Sequence, residues 1–238
     1  EFMAEAKAMG YSGVEMLPEH ELPQALEAGL ELVNLSGPGM TQGFNRLEHH
    51  STLILQVQEA MRKAKRLNAK AVIIFSGNRA GQDDREGIAH CALGLQTLLP
   101  LCDELEIELH FEMLNSENHQ DYQASSTKYG LALWEKLAHP RFRLLYDVYH
   151  MEKMGEPVLL DLKTHHQAIG HVHCAANPDR EAIQHSVSVH YRKVLEVLEN
   201  AGYCGYLGQE FIPPKGSSAT EALEELRGSL EHLKSMCV

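Results

Sequence analysis

An α/β fold, a (β/α)8 TIM barrel that lacks its first strand, is what this sequence predicts, and three observations carry the expectation. Short β-branched or apolar runs alternate with longer stretches of helical period from end to end, the pattern of βα units laid around a parallel sheet. The 238 residues fall near the length of about 250 that such barrels use. No linker, low-complexity tract or short repeat divides the chain, so residues 1–238 are expected to form one domain.

The opening segment, EFMAEAKAMGYSG, reads as the helix that follows a barrel strand, with Phe2, Ala6 and Met9 on one face and Gly10 as its stop. No strand stands before it. Either that strand lies outside this sequence, or Glu1 and Phe2 are an appended pair ahead of a start at Met3. Strands are then expected at GVEML (13–17), LELVNLS (30–36), AVIIFSG (71–77), IELHFEML (107–114), RLLYDVY (143–149), IGHVHCAA (169–176) and YLGQEFI (206–212). Helices should fill 19–28, 46–68, 84–104, 125–138, 158–167, 191–201 and 219–235, the second of them with Leu53, Val57, Met61 and Ala64 on one face. A barrel closes only when every strand has two neighbours, so GVEML and YLGQEFI are expected to face each other as open edges.

Composition narrows the function. The formal charge of -12 would repel a phosphate backbone, and no basic stripe offsets it, so nucleic acid is not an expected partner. No apolar run approaches the roughly 18 residues of a membrane span. The five cysteines (Cys91, Cys102, Cys174, Cys204 and Cys237) are scattered and never in a CxxC spacing, which points away from disulfides and thiolate zinc and towards a cytoplasmic location.

Barrel chemistry is built at the C-terminal ends of the strands, so the polar residues there are the ones to compare. They are Glu112 in HFEMLNS, Asp147 and His150 in YDVYH, His171 and His173 in HVHCAANPDR, and Glu210 in GQEFIP. The plain alternative for Asp147 and His150 is a strand terminator and a loop residue. An unpaired charge late in an apolar strand costs several kcal/mol, yet Glu112, Asp147, His173 and Glu210 on four successive strands can share one divalent cation. Three carboxylates and one imidazole form a mostly oxygen donor set, suited to Mn²⁺, Mg²⁺ or Co²⁺. His171 and His173, two apart, project to the same side of one strand at different depths. His173, nearer the mouth, is the expected ligand, and His171 is left to support or packing.

The motifs FEMLNS, YDVYHMEK, IGHVHCAANPDR and GYLGQEFIP, in that order, resemble the hydroxypyruvate isomerase family within the xylose-isomerase-like TIM barrels, which also include tagatose and psicose 3-epimerases. The resemblance runs from about Phe2 to Pro213. It implies that Glu112 and Glu210 are both metal ligands and the catalytic acid/base pair, that Asp147 and His173 complete the metal site, and that His150 and Arg180 bind substrate. The position of His173 is often glutamine in hydroxypyruvate isomerases and histidine in the epimerases, whereas the spacing from His173 to Arg180 follows the isomerases. After Arg180 the isomerases usually carry a loop containing proline and glycine, and this chain has EAIQHSVSVHY. The expectation is a metal-dependent isomerase of a small hydroxy-carbonyl compound that works through an enediolate, with homo-oligomerisation open. The alternatives are a ketose 3-epimerase, an apurinic endonuclease-like nuclease and a non-catalytic sugar-binding barrel.

Overall fold

The computed structural model describes residues 2–186 and 191–236. Cys237 and residues 187–190 of the segment after Arg180 lie outside the described residues. Helix α1 (Phe2–Met9) comes first, then β1 (Gly13–Val14), α2 (Leu22–Glu27), β2 (Glu31–Leu32), β3 (Asn34–Ser36), α3 (Leu47–Arg66) and β4 (Ala71–Ile74). The chain continues through α4 (Asp84–Gln96), α5 (Leu99–Leu105), β5 (Glu108–Glu112), α6 (Thr127–Leu137) and β6 (Phe142–Asp147). It ends with α7 (Val148–Lys153), α8 (Val158–His165), β7 (Ile169–Cys174), α9 (Tyr191–Asn200), β8 (Leu207–Gln209) and α10 (Ala219–Met236).

Strands β3 to β8 pair in sequence order as a six-stranded parallel sheet, and β1 pairs with β2 in a separate parallel pair. One residue joins the two. Val33 donates its N–H to Val14 O at 2.9 Å, and its C=O accepts from Lys70 N–H at 3.2 Å. The run expected as one strand over 30–36 therefore changes partner at Val33, from β1 on one side to β4 on the other. This is the α/β architecture of a TIM-type barrel, and among the described residues no strand precedes α1 or pairs with the outer edges of β1 and β8.

Most strands stop short of their expected ends because the backbone turns to other partners at the mouth. Leu114 N–H bonds to Ala124 O rather than to a neighbouring strand, and Ala176 N–H bonds to Glu181 O. The strand expected through residue 149 ends at Asp147. The Asp147 carboxylate accepts from the N–H groups of Tyr149 (2.8 Å) and His150 (3.3 Å), capping α7, so His150 stands in a helix and not in a loop. The helix expected over 84–104 divides around Thr97, and Pro100 lies in the first turn of α5, where its missing N–H costs nothing.

The core lies between the sheet and its helices. Val72, Ile73, Ile74, Leu109, Phe111 and Leu145 are fully buried, as continuous apolar strands covered on both faces require. Helix α3 buries Leu53, Val57, Met61 and Ala64, the face its periodicity predicts. Each of the larger side chains contributes about 1.5–3 kcal/mol by leaving water. The two ends of the chain are tied together where Lys234 donates to Met9 O and Tyr11 Oη donates to Leu226 O. Among the described residues no helix is long and apolar enough to cross a membrane.

Candidate metal centre and active site

Four successive strands end at one mouth. Asp147 on β6 pairs with His173 on β7, and His173 pairs with Gly208 on β8. Glu112 is the last residue of β5, and Glu210 lies one residue past β8, where its N–H still bonds to Cys174 O at 3.0 Å. One donor atom from each of Glu112, Asp147, His173 and Glu210 lies within 4.8 Å of the others. The first three are buried, and the Glu210 side chain is 31% exposed at the open side.

His173 is the hub. Its Nδ1 is 3.0 Å from Glu210 Oε2 and 3.7 Å from Glu112 Oε1, while its Nε2 is 2.9 Å from Glu15 Oε2. Burial disfavours charge on this ring, but Glu15, Glu112 and Glu210 together hold its pKa well above the ordinary value. The carboxylates diverge. Burial, reinforced by Glu210 and Asp147, pushes Glu112 up to about 7, and burial likewise raises Asp147 to about 6. Burial acts in the same direction on Glu210, yet the contact with His173 and the charge of Arg180 outweigh it and lower its pKa.

Arg180 Nη2 approaches Glu210 Oε2 at 2.6 Å and Asp147 Oδ2 at 3.7 Å, and its guanidinium lies over the Tyr149 ring. The loop that carries it is pinned to both adjacent strand ends. Ile212 N–H bonds to Arg180 O at 2.8 Å, and Arg180 itself adopts φ 58°, a left-handed conformation uncommon for a side chain of this size.

His150 is fully buried, 3.5 Å from Asp147 through Nε2. The backbone N–H of Asn115 points at its Nδ1 from 3.2 Å, and a backbone N–H can only donate. Nδ1 is therefore the acceptor, and the proton sits on Nε2, directed into the site. Burial and then Arg180 lower the pKa of His150 to about 2, so the ring stays neutral.

The donor set fits a divalent cation on an observation independent of sequence pattern. His173 Nδ1 is buried without a directed hydrogen bond, although Glu210 Oε2 and Glu112 Oε1 stand 3.0 and 3.7 Å from it and the Asp147 carboxylate joins them at the same mouth. Three carboxylates gathered around one ring nitrogen are what a cation among them relieves. Three oxygens and one nitrogen match the harder divalent ions.

All six site residues named from sequence converge on this mouth. Glu15 was not among them. It follows β1 immediately, and its Oε2 meets both His171 Nε2 (2.8 Å) and His173 Nε2 (2.9 Å). The signal was present in GVEML, an acidic residue late in an apolar strand, the same criterion that selects Glu112. Asn115, which sets the tautomer of His150, carried no comparable signal.

Comparisons with known proteins agree with this architecture. Hydroxypyruvate isomerase of Escherichia coli (strain K12) is 26% identical over 167 residues, covering 70% of this chain and 63% of that protein. The crystal structure of AP endonuclease, family 2, from Brucella melitensis superposes with a TM-score of 0.82 at 21% identity, covering 92% of this chain and 89% of the other. D-Psicose 3-epimerase with D-tagatose from Clostridium cellulolyticum H10 gives 0.83 at 12% identity, covering 99% and 92%. At such identities the structural likenesses speak to the fold. A family model described as xylose isomerase-like TIM barrel matches residues 3–236, and the chain belongs to that family.

Proposed function

We propose that this protein is a divalent-metal-dependent isomerase of a small hydroxy-carbonyl compound, of the hydroxypyruvate isomerase type. The observation that carries this reading is the pair Glu112 and Glu210. They approach His173 Nδ1 at 3.7 and 3.0 Å with their pKa values pushed apart, the arrangement that suits two carboxylates to different proton-transfer roles. Glu112, Asp147, His173 and Glu210 would hold Mn²⁺, Mg²⁺ or Co²⁺. When bound, the ion would stabilise negative charge developing on the carbonyl and hydroxyl oxygens of the substrate.

The side chains divide the remaining work. Glu210, kept ionised beside Arg180, takes the proton from the carbon next to the carbonyl; Glu112 takes the proton of the hydroxyl on that carbon and supplies it at the neighbouring carbon, and the former carbonyl oxygen takes its proton from Glu210. His150 donates its Nε2–H to a substrate oxygen. Arg180 offers a planar fork to a substrate carboxylate, and together with the bound ion it would offset the carboxylates of the site in a chain of formal charge -12. The buried thiols Cys91, Cys102 and Cys174 are unpaired, which supports a reducing, cytoplasmic setting.

Ketose 3-epimerisation is the second reading, favoured by His173 itself, since histidine at that position is the epimerase pattern and the same glutamates can act on opposite faces of one carbon. The test is incubation with each metal and a panel of three- to six-carbon hydroxy-carbonyl compounds in deuterated water, followed by NMR. Isomerised product with deuterium at the neighbouring carbon supports the isomerase. Inversion at carbon 3 selects the epimerase. Deuterium-free, unchanged substrates across the panel would leave a binding barrel, and cleavage of abasic duplex DNA would select the nuclease.

A further inference from the structure

We propose that Glu15 is a positioning residue that holds the His173 ring by its Nε2–H and so presents Nδ1 of the same ring to Glu112, Asp147 and Glu210. The proposal rests on the reading of those four residues as a metal centre. It concerns a fifth residue, contributed by the opposite end of the chain.

The geometry is that of a clamp. Glu15 Oε2 lies 2.9 Å from His173 Nε2, 2.8 Å from His171 Nε2 and 2.6 Å from Asn34 Nδ2. A carboxylate oxygen can only accept here, so all three nitrogens direct protons at it. With Nε2 of His173 committed to donation, Nδ1 is the atom left for the centre. A half-turn of the ring about its Cβ–Cγ bond would break the contact with Glu15. Buried histidine ligands are commonly fixed in this way by a carboxylate on the far nitrogen.

The surroundings preserve the clamp. The Glu15 side chain is 16% exposed, and those of His171 and His173 are 1% and 0%. His171 stands nearly perpendicular to His173, with ring centroids 4.7 Å apart. Opposite them is Gly208 on β8, where a Cβ would fall 2.0 Å from Glu15 Oε1 and 2.8 Å from His173 Cδ2. Glycine at 208 is what lets the carboxylate and the imidazole lie side by side against the β8 backbone. Glu15, His171 and His173 are also close enough together to hold an ion of their own. The amide of Asn34 on the same oxygen favours the hydrogen-bonded reading, because that oxygen is already filled with donors.

The test compares wild type, Glu15→Ala and the isosteric Glu15→Gln by two measurements. Histidine ¹⁵N and ¹H NMR of the full chain, ion-free and with Mg²⁺, reports the proton on His173 Nε2 and its hydrogen bond. Calorimetric titration with Mn²⁺ reports affinity. The expected result is loss of the downfield Nε2–H signal in Glu15→Ala and a 10- to 100-fold weaker Mn²⁺ affinity. Glu15→Gln, which keeps one acceptor oxygen and the shape, should lie between, and it carries the test if the alanine variant does not fold. An unchanged Nε2–H signal in the variants overturns the proposal whatever their affinity. If wild type binds no Mn²⁺ but the signal still depends on Glu15, the metal-centre reading falls and the clamp stands.

Discussion

Nδ1 of His173 sits 3.0 Å from Oε2 of Glu210, buried and without a directed hydrogen bond, while Arg180 Nη2 reaches the same carboxylate oxygen at 2.6 Å. A buried polar atom left unpaired costs about 1–3 kcal/mol, so this ring nitrogen is a point that the fold leaves unsatisfied. One divalent ion relieves it. Calorimetry with Mn²⁺ should give one equivalent bound, and Asp147→Asn should weaken binding at least about tenfold. Equal affinity in the variant would remove Asp147 from the ligand set.

Binding of that ion should strengthen with pH. Glu112 has a pKa of about 7 and Asp147 of about 6 in the ion-free chain, both raised mainly by burial, and a carboxylate must be ionised to serve as a ligand. At pH 6 the incoming ion displaces a proton from Glu112, and at pH 8 that proton is already gone. The Mn²⁺ dissociation constant should therefore fall from pH 6 to pH 8. Titrations in buffers of different ionisation heat should show more protons released at the lower pH; a reversed trend would count against the ligand assignment.

Glu112→Gln and Glu210→Gln keep the shape of each side chain but remove the atom that carries the proton. With saturating metal, solvent deuterium incorporation into an accepted substrate should drop by about 10²- to 10⁴-fold in each variant, with circular dichroism unchanged. Wild-type incorporation in either one would take that glutamate out of the acid/base pair.

His150 links the site to stability. Its pKa is lowered to about 2 in the fold, against an ordinary value of 6.5, chiefly by burial. Between those values the unfolded chain binds the proton and the folded chain does not, so this residue's contribution is complete above pH 6.5 and is lost progressively as pH falls towards 2. The limiting slope is about 1.4 kcal/mol per pH unit. Urea unfolding of wild type and His150→Gln at pH 7, 6 and 5 isolates it, because other titrations are common to both. The stability of wild type relative to the variant should decline below pH 6.5; parallel curves would mean that the ring is free to charge in the folded protein.

Local spacing by itself determined which elements form and which residues stand at the strand ends. A strand carries its side chains at period two and a helix at 3.6, so the buried face of α3 and the placement of Glu112, Asp147, His173 and Glu210 late in apolar runs were legible without a structure. Asp147 shows where such reading stops. Val148 and Tyr149 have the composition of a strand, but the carboxylate of Asp147 accepts from the N–H groups of Tyr149 and His150 as a helix cap and carries His150 into the site. Tertiary structure alone decided which atoms meet. Glu15 reaches His171 and His173 from 156 and 158 positions away, and Asn115 sets the tautomer of His150 across 35. The physical reason is that hydrophobic period specifies the side of an element on which a residue lies. Hydrogen bonds between strand ends exist only once the sheet has curved and the change of partner at Val33 has brought β1 round to face β7.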